Sequence, residues 1–186
     1  MIELAQYCAI LFITITGLGF GVCFLLNHTG KLSVLRAQWS GFIALIVLLE
    51  FWSIFLPVNN RLGWLVLGLS LPGLFLMARH FLRSQSTSWR SLVVFTLAAF
   101  LPILFAVYTS CKLVTWYDTP LYHLNAVRWI NEFAAIPGLA NFHERLGFNS
   151  SFLLFGALTN VDPLAGKAAH IALPYLLCMT LCEVIW

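Results

Sequence analysis

Long apolar runs alternate with short polar breaks over the first part of the chain. A membrane-spanning helix needs about 20 predominantly apolar residues, with a range of about 17–25, to cross the hydrocarbon core of a bilayer. Four runs meet this requirement: Ile2–Leu26, Trp39–Val58, Leu62–Ala78 and Ser91–Tyr108. We therefore predict a bundle of four transmembrane helices over residues 1–110.

A fifth apolar run, Ala165–Trp186, ends the chain and is predicted to be a fifth transmembrane helix over residues 165–186. The predicted fold class is all-α: a polytopic helical membrane protein with about five transmembrane helices. Membrane proteins usually end in a polar segment that marks the interface. Because none follows Trp186, the chain is expected to be truncated or one piece of a longer protein.

One long polar and aromatic segment, Trp116–Ser151, interrupts the apolar pattern and lies within a predicted loop over residues 111–164. Thr119 and Pro120 suit the start of a helix, since Thr caps helices and Pro fits the first helical position. The helical period then predicts an amphipathic helix over residues 120–134, with its polar face at Asn125, Arg128 and Glu132. The following Phe152–Leu158 is too short to span a bilayer and is expected to lie at the interface.

Composition supports a membrane protein and excludes several other classes. Charged residues make up only 9% of the 186 residues, against about 25% in soluble domains. The net charge is +3, and the basic residues are scattered rather than clustered. A nucleic-acid partner is therefore not expected.

The distribution of basic residues predicts the orientation, because cytoplasmic loops carry an excess of Lys and Arg. The second connection holds only Arg61, whereas the first and third connections hold five basic residues: Lys31, Arg36, Arg79, Arg83 and Arg90. The first and third connections are therefore predicted to face the cytoplasm. The N-terminus and the 111–164 loop are predicted to be extracytoplasmic.

Three features inside the spans have both a structural and a functional interpretation. Gly17, Gly19 and Gly21 form a smooth face that favours close helix packing. Cys178 and Cys182 lie one helical turn apart without further ligands, so packing is favoured over a metal site. Glu50 is an acid within a span, which indicates either a functional group or an acid that lies near the interface or is bonded to a neighbouring helix.

Asp118 and His123 are the first candidate site residues of the loop. Asp118 precedes the predicted helix, where the helix dipole stabilises a carboxylate. It is either a helix cap or a base held at the membrane face. His123 falls on the apolar side of the same helix, so it is either a buried hydrogen-bonded histidine or a ligand-binding group.

Arg128, His143 and Arg145 are the remaining candidates. A guanidinium matches a phosphate with two parallel hydrogen bonds, so Arg128 and Arg145 are predicted phosphate partners. The alternative for Arg145 is a weak surface pair with Glu144. The sequence contains no nucleophile elbow, no glycine-rich phosphate loop and no zinc-ligand spacing.

Between its flanking spans, the loop carries the strings WYDTPLYHLNAVRWI and PGLANFHERLGFNSS. This pattern resembles the first external loop of GT-C type polytopic membrane glycosyltransferases, and it is closest to a group of bacterial multi-pass membrane proteins. The resemblance covers roughly residues 109–186. It implies a sugar transferred from a polyprenyl-phosphate donor to an extracytoplasmic saccharide or lipid acceptor at the bacterial plasma membrane.

The resemblance also implies roles for the loop residues. Asp118 would be the general base that deprotonates the acceptor, and Arg128 or Arg145 would stabilise the leaving phosphate. His123 and His143 would bind donor or acceptor. No cofactor is implied, a divalent cation is left open, and the lipid bilayer is the expected surrounding.

Other functions fit the same pattern. One is a non-catalytic multi-pass scaffold or anchor, in which Asp118 and His123 tolerate substitution. A second is a polymerase or ligase of surface polysaccharide. A third is a transporter, for which only Glu50 and the proline-containing spans provide a sign.

Overall fold

The fold was analysed in a computed structural model that describes residues 2–26, 33–83, 108, 118–147, 150–160 and 171–185. The predicted fourth span, apart from Tyr108, lies outside the described residues, as does the first part of the predicted fifth span. The described ranges are helical and contain no strand. An all-α fold is therefore confirmed for them.

Seven α-helices are present in the described ranges, and three of them are long. The long helices are α1 (Ile2–Leu25), α2 (Val34–Phe55) and α3 (Asn60–Arg83). The others are α4 (Leu124–Glu132), α5 (Leu139–Phe142), α6 (Ser151–Thr159) and α7 (Ala172–Ile185).

The three long helices are apolar and long enough to cross a membrane. Their spanning segments have mean hydropathies of 2.3, 1.6 and 1.6. Large apolar side chains on α3 also face outward, with Trp64 73% and Phe75 68% exposed. An apolar surface of this kind suits lipid rather than water. The count of about five spans stays a prediction.

Helix capping explains why α2 begins before the predicted Trp39. The hydroxyl of Ser33 accepts a hydrogen bond of 3.2 Å from the backbone N–H of Arg36, which satisfies one of the free amides at the start of α2. The side chain of Asn59 caps α3 in the same way, accepting a 3.0 Å bond from the N–H of Arg61. The polar residues that separate the apolar runs therefore begin helices.

The chain divides into two compact units. The first comprises Met1–Leu45, Val66–Cys111 and Leu173–Trp186, and the second comprises Ile46–Leu65 and Lys112–Ala172. Both α2 and α3 contribute residues to each unit. The candidate site residues of the loop all belong to the second unit.

Backbones in the first unit approach one another closely at glycines. A Cβ atom on Gly19 would overlap the carbonyl of Ala37 in α2, and one on Gly41 would overlap the carbonyl of Ile15 in α1. A Cβ on Gly73 of α3 would likewise overlap the carbonyl of Gly17. The predicted role of these glycines in helix packing is therefore confirmed for Gly17 and Gly19.

A buried polar network also joins helices of the first unit. Gln38 is only 1% exposed, and its amide nitrogen donates to the carbonyl of Phe12 at 2.7 Å and to the hydroxyl of Thr16. Its amide oxygen accepts a 2.7 Å bond from the hydroxyl of Tyr175. The network links α1, α2 and α7 and satisfies the buried amide on both sides.

In the second unit, backbone hydrogen bonds join α4 and the residues just after it to the α2–α3 connection and to the end of α2. The N–H of Val58 donates to the carbonyl of Ile130 at 2.9 Å, and the N–H of Ala135 donates to the carbonyl of Ser53 at 2.7 Å. These bonds pair backbone groups of both segments and hold residues 130–135 beside residues 53–58.

Helix α6 forms the core of the second unit, and the expectation that residues 152–158 lie at the membrane interface stays a prediction. Phe155 and Ala157 are fully buried, and Leu158 is 3% exposed. The segment is too short to cross a bilayer, but it is apolar on all sides, and such a helix is stable when protein surrounds it.

Candidate functional site

Asp118 lies immediately before a π-helical turn, Thr119–His123, which leads into α4. The regular part of the predicted amphipathic helix therefore begins at Leu124 and not at Pro120. The N-cap position is occupied by Asp118 and not by Thr119. The side chain of Asp118 makes no capping hydrogen bond. The capping interpretation of Asp118 is therefore wrong, and its carboxylate has another partner.

That partner is Arg145, which lies 27 positions further along the chain. The guanidinium Nη1 donates to Asp118 Oδ1 at 3.3 Å. The side chain of Asp118 is 49% exposed, and that of Arg145 is 42% exposed. A half-exposed pair of this kind contributes only about 0–1 kcal/mol to stability. The contact therefore places a carboxylate beside a guanidinium without locking either in place.

Two aromatic rings complete this side of the site. The guanidinium carbon of Arg145 lies 5.1 Å from the ring centroid of Tyr122, within the range of a cation–π contact. The ring of His123 meets Tyr122 edge to face, with centroids 4.3 Å apart. His123 is exposed on this turn, so the alternative of a buried histidine is wrong.

His143 is positioned from the other direction. It precedes a 3-10 turn, Glu144–Gly147, and its Nδ1 accepts a 3.3 Å hydrogen bond from the N–H of Arg145. The observed ion pair of Arg145 is with Asp118 rather than with the adjacent Glu144. We call Asp118, Tyr122, His123, His143 and Arg145 the Asp118 cluster.

Arg128 is the one candidate that the structure does not bring to the cluster. It is exposed on α4, and the guanidinium that contacts Asp118 is that of Arg145 instead. Tyr122, by contrast, was not predicted as a site residue. Its position four residues after Asp118 was a usable signal, because residues four apart share a helix face.

A second polar feature of this unit involves Glu50. Its Oε1 accepts a 2.6 Å hydrogen bond from the hydroxyl of Ser151 at the start of α6. This contact confirms the interpretation of Glu50 as an acid bonded to a neighbouring helix. Glu50 also lines a mainly apolar cavity of about 760 Å³ between α2, α4 and residues of the segments 133–147 and 150–154.

Comparison with known sequences places the whole chain in one group. The sequence model of a protein family described as "Domain of unknown function (DUF8201)" matches residues 1–185. The chain belongs to this family. No curated protein matches it, and no solved structure does.

The DUF8201 match includes both the Asp118 cluster and the Glu50 cavity, so both are features of a domain of this family. In the described part of this DUF8201 domain, no three His, Cys, Asp or Glu side chains lie together in a way that would hold a metal ion. The groups that the cluster offers for chemistry are one carboxylate, one guanidinium, two imidazoles and a phenol.

Proposed function

We propose that this DUF8201 chain is a glycosyltransferase-like membrane protein that transfers a sugar from a polyprenyl-phosphate donor to an extracytoplasmic acceptor. The observation that carries the proposal is the 3.3 Å contact between Asp118 and Arg145. It joins a base suited to the acceptor hydroxyl and a cation suited to the donor phosphate. Both are half-exposed, so a ligand can reach them.

In the proposed reaction, the Asp118 carboxylate takes the proton of the acceptor hydroxyl as the hydroxyl oxygen attacks the anomeric carbon of the sugar. The bond from that carbon to the phosphate oxygen breaks, and its electron pair leaves with the phosphate. The transition state has oxocarbenium character. Arg145 stabilises the negative charge that develops on the leaving phosphate.

Arg145 can change partners at little cost. Because the exposed pair with Asp118 is worth about 0–1 kcal/mol, a doubly hydrogen-bonded phosphate competes with it effectively. The ring of Tyr122, 5.1 Å away, holds the guanidinium nearby while it turns. Loss of the ion pair then frees the Asp118 carboxylate for the acceptor.

The hydrogen bonds of α4 support the predicted arrangement of the loop. Alternation of four spans puts the connection around Asn59 and the loop 111–164 on the same side of the membrane. Val58 and Ile130, which belong to these two segments, share a backbone hydrogen bond. An odd number of crossings between the segments would separate them.

We expect Asp118→Asn to lower sugar transfer by about a hundredfold or more, because removal of a general base costs about 10²–10⁴ in rate. The assay uses membranes that contain the full chain, supplied with radiolabelled polyprenyl-phosphate sugars, and measures label transferred to acceptors. Glu144→Gln is the matched control, since Glu144 is an exposed acid next to Arg145 and is expected to retain transfer. Equal transfer by the Asp118→Asn and wild-type proteins would remove Asp118 from the mechanism.

A non-catalytic anchor is the second candidate, and the exposure of the same ion pair favours it, because a half-exposed contact worth about 0–1 kcal/mol can be lost without loss of the fold. Exchanging the two charges, with Asp118→Arg and Arg145→Asp in one protein, separates the two functions. An anchor keeps its function in this protein, because it tolerates substitution at Asp118. A glycosyltransferase stays inactive, because the base and the phosphate partner have exchanged places.

A further inference from the structure

The cavity beside Glu50 has walls that are apolar except at a few positions. Among the described residues, its polar lining side chains are Glu50, Ser53, Ser150 and the indole of Trp129, and no described Lys, Arg or His lines it. At about 760 Å³, the cavity is in the size range of small-molecule sites, about 300–1,000 Å³. A mostly apolar wall with one charged group is typical of a site for an amphiphile.

We propose that this cavity binds a membrane amphiphile whose apolar chain fills it and whose protonated amine pairs with the Glu50 carboxylate. Glu50 is the only charged side chain in the described part of the lining. A carboxylate in apolar surroundings attracts a cation strongly and repels a phosphate or carboxylate head group. The occupant is therefore distinct from the anionic donor proposed for the Asp118 cluster.

The hydrogen bonding of Glu50 leaves capacity for such a ligand. A carboxylate has about four acceptor positions, and Ser151 occupies one of them at Oε1. The hydroxyl of Ser53 donates to the backbone carbonyl of Glu50 and not to its carboxylate. An ammonium group donates up to three hydrogen bonds, which matches the positions that remain.

The position of the cavity along the chain gives a membrane lipid access to it. The part of α2 that lines it, from Ile46 to Ile54, belongs to the spanning segment Val34–Phe55. Glu50 precedes Phe55 by five residues, or about 7 Å along a helix axis. This part of a span lies near the boundary between hydrocarbon and water, where amphiphiles place their head groups.

Quenching of Trp129 fluorescence tests the proposal directly, because this indole lines the cavity. The full chain in detergent micelles is titrated with three probes brominated along a dodecyl chain: an amine, an alcohol and a carboxylic acid. The chain has seven Trp, so the titration is repeated with Trp129→Phe. The difference between the two curves gives the binding at the cavity.

We expect Trp129-dependent quenching with the amine at concentrations about tenfold lower than with the alcohol or the acid. Glu50→Gln should remove this preference, and its amide oxygen still accepts the Ser151 hydrogen bond. Ser151→Ala should retain the amine preference, because it frees an acceptor position. Glu132→Gln, an exposed acid outside the cavity lining, should behave as the wild-type protein.

Three results would overturn the proposal. Absence of Trp129-dependent quenching means that the cavity does not bind the dodecyl chain of the probes. Equal affinity for all three probes, unchanged in Glu50→Gln, means that the carboxylate does not select the head group. If Ser151→Ala loses amine binding as fully as Glu50→Gln, then Glu50 serves only to hold α6 against α2.

Discussion

Gly19→Ala is expected to prevent α1 and α2 from packing, although it adds only one methyl group. The added Cβ would overlap the backbone carbonyl of Ala37, which has no side-chain freedom to move away. Overpacking typically costs about 1–3 kcal/mol or more. Because backbone blocks the added group, we expect the upper end of this range and a lower unfolding temperature in mild detergent. Gly19→Leu should abolish accumulation of the folded chain in the membrane.

Gly68→Ala is the matched control for this prediction. Gly68 also lies inside a long apolar helix, but it is exposed, and nothing is within 4 Å of a Cβ added there. Alanine has the higher helix propensity by about 1 kcal/mol. The control should therefore be neutral or slightly stabilising. If Gly19→Ala unfolds at the same temperature as Gly68→Ala, the close approach of α1 and α2 is not a packing contact.

Sequence reasoning predicted this glycine face because its signal is local. Three glycines at alternate positions within an apolar run indicate a site of close approach, whatever the partner is. The partners themselves, Ala37 and the carbonyl of Ser70, could not be predicted. They depend on how α2 and α3 are turned about their axes, which the packing of the whole unit determines.

The outer bounds of the helices were predictable from hydropathy only where the helix ends with its apolar run. The end of α1 at Leu25 falls within one residue of the predicted Leu26. At α2 the prediction missed the start, because Ser33 and Arg36 carry the helix into a polar stretch. Hydropathy marks the membrane-embedded part of a helix, whereas capping marks its ends.

The candidate site was predicted residue by residue, but its pairings were not. Asp118 and Arg145 were both selected from residue type and position, and the structure joins them across 27 residues. No local feature of the sequence favours a pair of Asp118 with Arg145 over a pair of Asp118 with Arg128. In the structure, Arg128 is exposed on α4. The partner of Glu50, Ser151, lies 101 positions away and has no signature in the sequence.

Asn131→Asp is expected to have the largest effect on the second unit. The Asn131 amide nitrogen donates to the carbonyl of Val58 at 2.6 Å and to that of Ala157 at 2.9 Å, joining α4 to the α2–α3 connection and to α6. Its amide oxygen accepts a 3.1 Å bond from Asn160. The substitution keeps the shape but turns a donor into an acceptor that faces two carbonyl oxygens. The carbonyl of Ala157 keeps the backbone N–H of Asn160 as a donor, whereas the carbonyl of Val58 loses its side-chain donor. An unsatisfied buried group costs about 1–3 kcal/mol.

The loss should depend on pH in a specific direction. A protonated carboxyl group can donate to one of the two carbonyls, so folding favours the neutral form and raises the pKa of the introduced group above its unfolded value. Stability should therefore be partly recovered as pH falls, which is opposite to the usual effect of acid on carboxylates. Thermal unfolding of the full chain in detergent, followed over a pH series, measures this. Asn141→Asp places the same change at an exposed residue of α5 and should show neither the loss nor the recovery. If the two variants unfold alike at every pH, the amide of Asn131 does not hold α4 in place.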